Sequence, residues 1–112
     1  MKPWLIGIVV TIGCASYPAP TNQMLSSEYQ IRTARTLGVP AYPQAALYLQ
    51  LAEEQLAKAK NLLRHHKNQE AEYMLMRTDA DAELALALAH ENRAKEQAEK
   101  ALDEIRELQQ TE

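Results

Sequence analysis

Apolar residues recur along this chain in two different patterns. Over residues 4–13 they form a nearly unbroken run. From residue 43 onward they return at alternating intervals of four and three residues, which is the heptad spacing of packed helices. The first seam consists of Ala45, Leu49, Ala52, Leu56, Ala59 and Leu63. The second consists of Ala71, Leu75, Thr78, Ala82, Ala85 and Ala89. Two matching seams on either side of a polar break at residues 66–68 predict an antiparallel helical hairpin.

The pattern as a whole predicts three helices and no sheet. The predicted helices span about residues 22–37, 43–65 and 69–110. Gly38 can adopt the left-handed conformation that ends the first helix, and Pro43 suits the first turn of the second. The predicted buried face of the first helix comprises Met24, Ile31, Ala34 and Leu37. The expected fold is all-α: an antiparallel hairpin with a shorter N-terminal third helix and a long protruding C-terminal helix.

The last helix is too long for its hairpin partner. Centring the turn near residue 67 places Ala45 level with Ala89, so the second helix covers the third only to about residue 91. We expect the first helix to lie beside residues 76–89, where the sequence is apolar on nearly all sides. Beyond this region a narrow apolar stripe continues on a helix that is marginal alone in water, which predicts a partner-binding surface. The stripe consists of Ala94, Ala98, Ala101, Ile105 and Leu108.

The N-terminal run is typical of a secretory signal peptide over residues 1–13. It is too short to span a bilayer, which takes ~20 residues of helix. Residues 11–14, Thr-Ile-Gly-Cys, resemble the lipobox of bacterial lipoproteins, and Thr11 departs from its usual Leu. The resemblance implies that Cys14 receives fatty acyl chains such as palmitate and anchors the protein to a membrane. Residues 14–21 then form the lipidated cysteine and an extended tether with a reach of about 25 Å, and residues 22–112 form the helical domain.

The residue after the lipidated cysteine indicates which membrane is used. In the sorting rule of enteric lipoproteins, Asp at this place favours the inner membrane, and this chain has Ala15. The resemblance therefore implies the outer membrane, with the protein on its periplasmic face. Cys14 is the only cysteine, so an intramolecular disulfide cannot form.

Composition narrows the classes of function. A chain of 112 residues makes one small domain. It has no Phe and one Trp, so its helices must pack largely through Ala and Leu. With 12 basic and 15 acidic residues interspersed, it has no basic stripe for nucleic acid.

No arrangement of polar residues predicts catalysis. Asp79, Asp81 and Glu83 are spaced by two, so on a helix neighbouring carboxylates diverge by about 200°. His66 and Glu70 could supply half of a metal site, but no third ligand lies nearby in the sequence. We therefore expect no enzymatic activity, no metal and no cofactor. Three tyrosines could be rim contacts for a partner, although packing in or beside the core is the favoured interpretation: Tyr42, Tyr48 and Tyr73.

Several motifs in the helical part resemble a known family. These are residues 37–43, Leu-Gly-Val-Pro-Ala-Tyr-Pro, leading into the first seam, then Glu70-Ala71, and the Asp-Ala-Asp-Ala-Glu-Leu-Ala run at residues 79–85. They are similar to short bacterial envelope lipoproteins of the domain of unknown function 4398. Some members carry an OmpA-like peptidoglycan-binding domain after this region. This sequence contains none, so no role in wall binding carries over, and the family supplies no activity to transfer.

Two functions are therefore expected from different classes. The first is a lipid-anchored structural adaptor of the outer membrane that docks a helical envelope protein or a second copy of itself. The alternative is a module that binds a small envelope ligand, such as a lipid or a glycan fragment. The paired seams favour the adaptor, because they leave little volume for a pocket.

Overall fold

The structure is a computed structural model that describes residue 3 and residues 16–112. Apart from Pro3, the predicted signal peptide lies outside the described residues, as does Cys14. The described chain forms three helices, α1 (Thr21–Thr36), α2 (Pro43–Arg64) and α3 (Asn68–Gln110), with a 3-10 turn at Val39–Ala41. The all-α prediction is confirmed, and the predicted helix ends differ from these by about one residue. In residues 16–112 no helix is both long enough and apolar enough to cross a bilayer.

The hairpin of α2 and α3 is built on the two predicted seams. All six seam residues of α3 are buried, as are the first five of α2, while Leu63 is half-buried. Alanine at most of these positions lets the helix axes approach closely. Gln55 of α2 donates a 2.8 Å hydrogen bond to Asp81 of α3, which fixes the antiparallel register close to the predicted one.

One buried residue of α2, Gln55, is polar. Gln55 is only 7% exposed, and its Oε1 has no hydrogen-bond partner among the described residues. The bond to Asp81 satisfies its amide nitrogen. A buried polar contact of this kind favours one register over a slipped one, because a slip would leave both groups unpaired.

The first helix packs across both helices of the hairpin. Its buried residues are Ser27, Ile31 and Ala34, and the Ser27 hydroxyl donates to the Asp79 carboxylate on α3 at 2.5 Å. Ion pairs tie it to α2, Glu28 to Lys60 and Arg35 to Glu53.

The predicted face of α1 was correct at Ile31 and Ala34 and wrong at Leu37, which is 41% exposed. The helix ends at Thr36 and Gly38 takes the left-handed conformation with φ 80°, so Leu37 no longer follows the buried face. Met24 is half-buried. The Gly38 stop itself is as predicted.

The sequence predicts an extended tether, whereas the structure shows its residue Tyr17 bound to α3. The main-chain carbonyl of Tyr17 accepts a 2.8 Å hydrogen bond from Asn68, and its phenol donates to Glu72. Both partners lie in the first two turns of α3. Residues 16–20 therefore lie against the turn of the hairpin. The segment free to extend is much shorter than the one for which a reach of about 25 Å was expected.

Candidate docking surface

The part of α3 beyond the hairpin is exposed on every side. Ala89 is the last buried residue, and all residues from 94 to 112 are exposed. The hairpin ends near Arg93, whose guanidinium donates to the Leu37 carbonyl at 2.6 Å. The five residues of the predicted partner-binding stripe, Ala94, Ala98, Ala101, Ile105 and Leu108, therefore lie in solvent. The largest of them, Ile105 and Leu108, are 51% and 69% exposed.

This stripe continues back along the hairpin, where the sequence analysis had not placed it. Ala80, Leu84 and Ala87 are also exposed. Each follows a buried residue of the α3 seam by two positions, which places it about 200° around the helix from that seam. We call the whole set the outer stripe: Ala80, Leu84, Ala87, Ala94, Ala98, Ala101, Ile105 and Leu108. Its intervals are four, three, seven, four, three, four and three residues, so it keeps a heptad register over nearly thirty residues.

The first helix does not cover this surface. It lies beside α3 as expected, with Ser27 at Asp79 and Leu37 at Arg93. Its packing does not cover all the apolar residues of this stretch, because Ala80, Leu84 and Ala87 stay exposed. Asp79 lies between the inner seam and the outer stripe, so a helix packed against Asp79 leaves Ala80, Leu84 and Ala87 uncovered.

One polar residue interrupts the outer stripe. Glu91 occupies the heptad position between Ala87 and Ala94 and accepts a hydrogen bond from Lys95 at 2.8 Å. That hydrogen bond and the charge of Lys95 lower the pKa of Glu91, while Glu91 raises the pKa of Lys95. The ion pair lies within α3, and the stripe has one charged position near its middle.

The three acidic residues that raised the question of catalysis do not converge. Asp79 accepts from Ser27 on α1, Asp81 accepts from Gln55 on α2, and Glu83 is exposed. The two aspartates hold helices together on opposite sides of α3. They are structural contacts rather than a paired site.

The histidines and tyrosines do not form a common site either. His66 lies in the turn with φ 57°, outside both helices, so it does not share a helix face with Glu70. Residues 16–112 contain no cluster of three potential metal ligands. Tyr42 and Tyr48 are half-buried against the core at one end of the hairpin, whereas Tyr73 is exposed near the other end. The three tyrosines therefore do not form a common rim, and Tyr42 and Tyr48 pack at the core boundary, which is the interpretation that the sequence favoured.

The fold defines a class of protein: a three-helix, coiled-coil-like hairpin with one helix projecting from it. The chain belongs to the family described as Domain of unknown function (DUF4398), whose model matches residues 22–101. The match covers all of α1 but its first residue, all of α2, and α3 to Ala101, so it includes most of the outer stripe. Searches of curated proteins and of solved structures gave no match.

Proposed function

We propose that this protein is a lipid-anchored adaptor on the periplasmic face of the outer membrane, which docks another helical envelope protein or a second copy of itself through α3. The observation that carries the proposal is the outer stripe. A heptad stripe of apolar residues on an exposed helix face gains free energy only when another helix covers it. The signal-like run at residues 4–13 and the lipobox-like residues 11–14 support the anchor.

The chemistry of the described surface supports a non-enzymatic role. Asp79 and Asp81 are used in contacts between helices, and the outer stripe is a long, narrow apolar surface. Such a surface suits a helix as its partner, because a helix can contact successive heptads along the whole stripe.

The docking proposal is tested by photo-crosslinking in cells. A photoreactive residue at Ala101 lies in the outer stripe, and one at Glu99 lies about 200° around the same helix. We expect a specific adduct from Ala101 and none from Glu99. Equal crosslinking from both positions, or from neither, would contradict docking through the stripe.

Paired substitutions test whether the stripe supplies the binding free energy. Ile105→Glu adds one negative charge in the stripe, and Gln110→Glu adds one negative charge about 200° around the helix from Leu108, outside it. The first should abolish the Ala101 adduct and the second should preserve it. Retention of the adduct in Ile105→Glu would refute the assignment of the stripe.

Truncation separates docking from folding and separates the two kinds of partner. Deleting residues 92–112 should leave a cooperatively melting hairpin, because the last buried residue is Ala89. It should abolish self-association or partner capture. Light scattering of residues 15–112 then examines self-association: a strict monomer at high micromolar concentration would refute the homo-oligomer and leave a different protein as the partner.

The anchor has its own test. Metabolic labelling with a fatty acid should mark the wild-type protein, and Cys14→Ser should release or mislocalise it. An unlabelled wild type whose membrane fractionation does not change in Cys14→Ser would disprove lipid anchoring.

The alternative is a module that binds a small envelope ligand. An open recess beside the hairpin turn, lined in part by Met24, Leu63 and Arg64, is where such a ligand could lie. A thermal-shift screen with lipids and glycan fragments tests it. Reproducible stabilisation by one class would favour this alternative over the adaptor.

A further inference from the structure

The chain enters the fold beside the hairpin turn. Tyr17 is held by Asn68 and Glu72, both at the start of α3. Only two residues lie between Cys14 and Tyr17, so three residue steps join them and span at most about 10 Å. With a lipid on Cys14, the turn therefore lies within about 10 Å of the lipid headgroups, while the 43 residues of α3 extend about 64 Å from it.

The turn that is brought near the membrane is basic. Residues 58–67 contain four Lys or Arg, two His and no acidic residue. Arg64, His65, His66 and Lys67 are all exposed. Lys60 is paired with Glu28, whereas neither Arg64 nor Lys67 forms an ion pair within residues 16–112.

The neighbouring acidic groups only partly offset this charge. Glu70 is exposed in the first turn of α3, and Glu72 accepts the Tyr17 hydrogen bond. Both lie on the α3 side of the turn. The end of α2 and the linking residues remain cationic.

Helix dipoles favour a cation at Arg64 but act in opposite senses on Lys67, which follows the end of α2 and precedes α3. A cation in the last turn of α2 interacts favourably with the helix dipole. Lys67, however, is the N-cap of α3 and makes no side-chain capping hydrogen bond. A cation is unfavourable at that end of a helix, where Asp, Asn or Ser would stabilise it. Capping of α3 therefore does not account for a cation at Lys67.

The other end of the molecule carries the opposite charge. Residues 91–112 contain four basic and seven acidic residues. An anionic surface therefore attracts the turn and repels the tail. Both effects favour an upright α3 with its free end directed away from the membrane.

From these observations we infer that the hairpin turn is a second membrane contact, in which Arg64 and Lys67 bind the phosphates of anionic phospholipid headgroups. The contact rests on the lipid anchor proposed above, which supplies the proximity. It orients the molecule, so that the distal outer stripe is presented to a partner far from the bilayer rather than along its surface.

The test uses the lipidated protein, with its acyl mass verified by mass spectrometry, in vesicles of phosphatidylglycerol and phosphatidylethanolamine. Neutral phosphatidylcholine vesicles serve for comparison. Acylation blocks Cys14, so a cysteine introduced at Gln69 or at Gln109 is the only free thiol for a fluorophore. A nitroxide on the lipid headgroups should quench the label at residue 69 in anionic vesicles and leave the label at residue 109 unquenched.

Charge variants decide whether the cations cause the contact. Arg64→Gln with Lys67→Gln should lower the ratio of docked to undocked turns by about 30-fold, and high salt should have a similar effect. Lys95→Gln with Lys100→Gln makes the same change of net charge on the tail and should leave quenching at residue 69 unchanged.

A single substitution separates binding from folding. Lys67→Asp should maintain or raise the melting temperature, because Asp is a favoured N-cap, and yet reduce quenching at residue 69. Undiminished quenching in this variant would overturn the inference, as would equal quenching on neutral vesicles or equal quenching of both labels.

Failure of the anchor would be recognised separately. If the purified protein carries no acyl chain, the anchor is disproved, and flotation of the same protein with anionic and neutral vesicles then tests the turn directly. Flotation with anionic vesicles that is lost in the Arg64 and Lys67 variant supports the contact. Flotation that persists in the variant, or none in the wild type, overturns it.

Discussion

Among the non-glycine residues that the structure describes, His66 alone has a positive φ. Its φ of 57° lies in the left-handed region, and the chain around it forms a Schellman motif. The amide of Lys67 donates to Leu62 at 2.9 Å and that of His66 donates to Leu63 at 3.1 Å. This motif usually places Gly where His66 stands, because a side chain at positive φ is strained.

Replacing this residue by glycine should stabilise the hairpin. We expect His66→Gly to raise the free energy of unfolding by about 0.5–1 kcal/mol, because the strain it relieves exceeds the entropy it adds to the unfolded chain. His65→Gly is the matched control: its φ of −97° carries no such strain, so it should destabilise. Urea denaturation measures both, and a His66→Gly variant less stable than the wild type would contradict the expectation.

Tyr17 gives the tether contact a pH dependence. Its hydrogen bond to Glu72, followed by burial and the charge of Glu72, raises the pKa of Tyr17 above its ordinary 10.0. A raised pKa means that the neutral phenol is favoured in the folded state. The contribution of the contact is therefore complete below pH 10.0 and is lost as the pH rises through the higher folded value.

This predicts a late step in the alkaline titration of the protein. Of the five tyrosines, Tyr17 should ionise at a higher pH than an unperturbed phenol. Tyrosinate absorbance measures the titration, and Tyr17→Phe should remove its high-pH component. A Tyr17→Phe curve that differs from the wild type only by loss of an ordinary phenol would show that the contact does not form.

Among the elements, α1 depends most on individual polar contacts. It is held to α3 by Ser27 and Asp79 and to α2 by two exposed ion pairs. Exposed ion pairs contribute little. The buried Ser27 hydroxyl is therefore the polar group whose loss should affect the docking of α1 most.

A double-mutant cycle measures this contact. Ser27→Ala should lower the free energy of unfolding by about 1–2 kcal/mol, because it leaves the partly buried Asp79 carboxylate without its donor. Adding Asp79→Ala to Ser27→Ala should cost less than Asp79→Ala does alone. Additive effects of the two substitutions in urea denaturation would show that the residues are not coupled.

The elements also show which parts of the fold a sequence can predict. The seams of α2 and α3 were predicted almost residue by residue, because their period is visible in the spacing of apolar residues. Ser27 and Gln55 were missed because they are polar, and their burial depends on Asp79 and Asp81, which only packing brings near. The hairpin part of the outer stripe was missed because residues 80–89 are apolar on nearly all sides, so two faces overlapped in one pattern. No sequence pattern relates Tyr17 to residues more than fifty positions away.

At the scale of the whole molecule, the chain places different chemistry at its two ends. The basic turn and the tether share one end, and the acidic tail with the distal outer stripe forms the other. The single element joining them is α3, whose Asn68–Gln110 span contains neither Gly nor Pro. The position of the distal stripe is therefore fixed relative to the hairpin by helix geometry alone.

An uninterrupted helix also transmits torsion. One alanine inserted between Glu96 and Gln97 would rotate the distal part of the stripe by about 100° relative to its hairpin part. Seven inserted residues would move the distal part about 10 Å along the helix axis and return it to within about 20° of its original direction. If a partner contacts both halves of the stripe, the Ala101 adduct should disappear with one inserted residue and return with seven. An adduct that survives both insertions would mean that the partner contacts the distal half alone. The partner would then rotate together with that half relative to the hairpin.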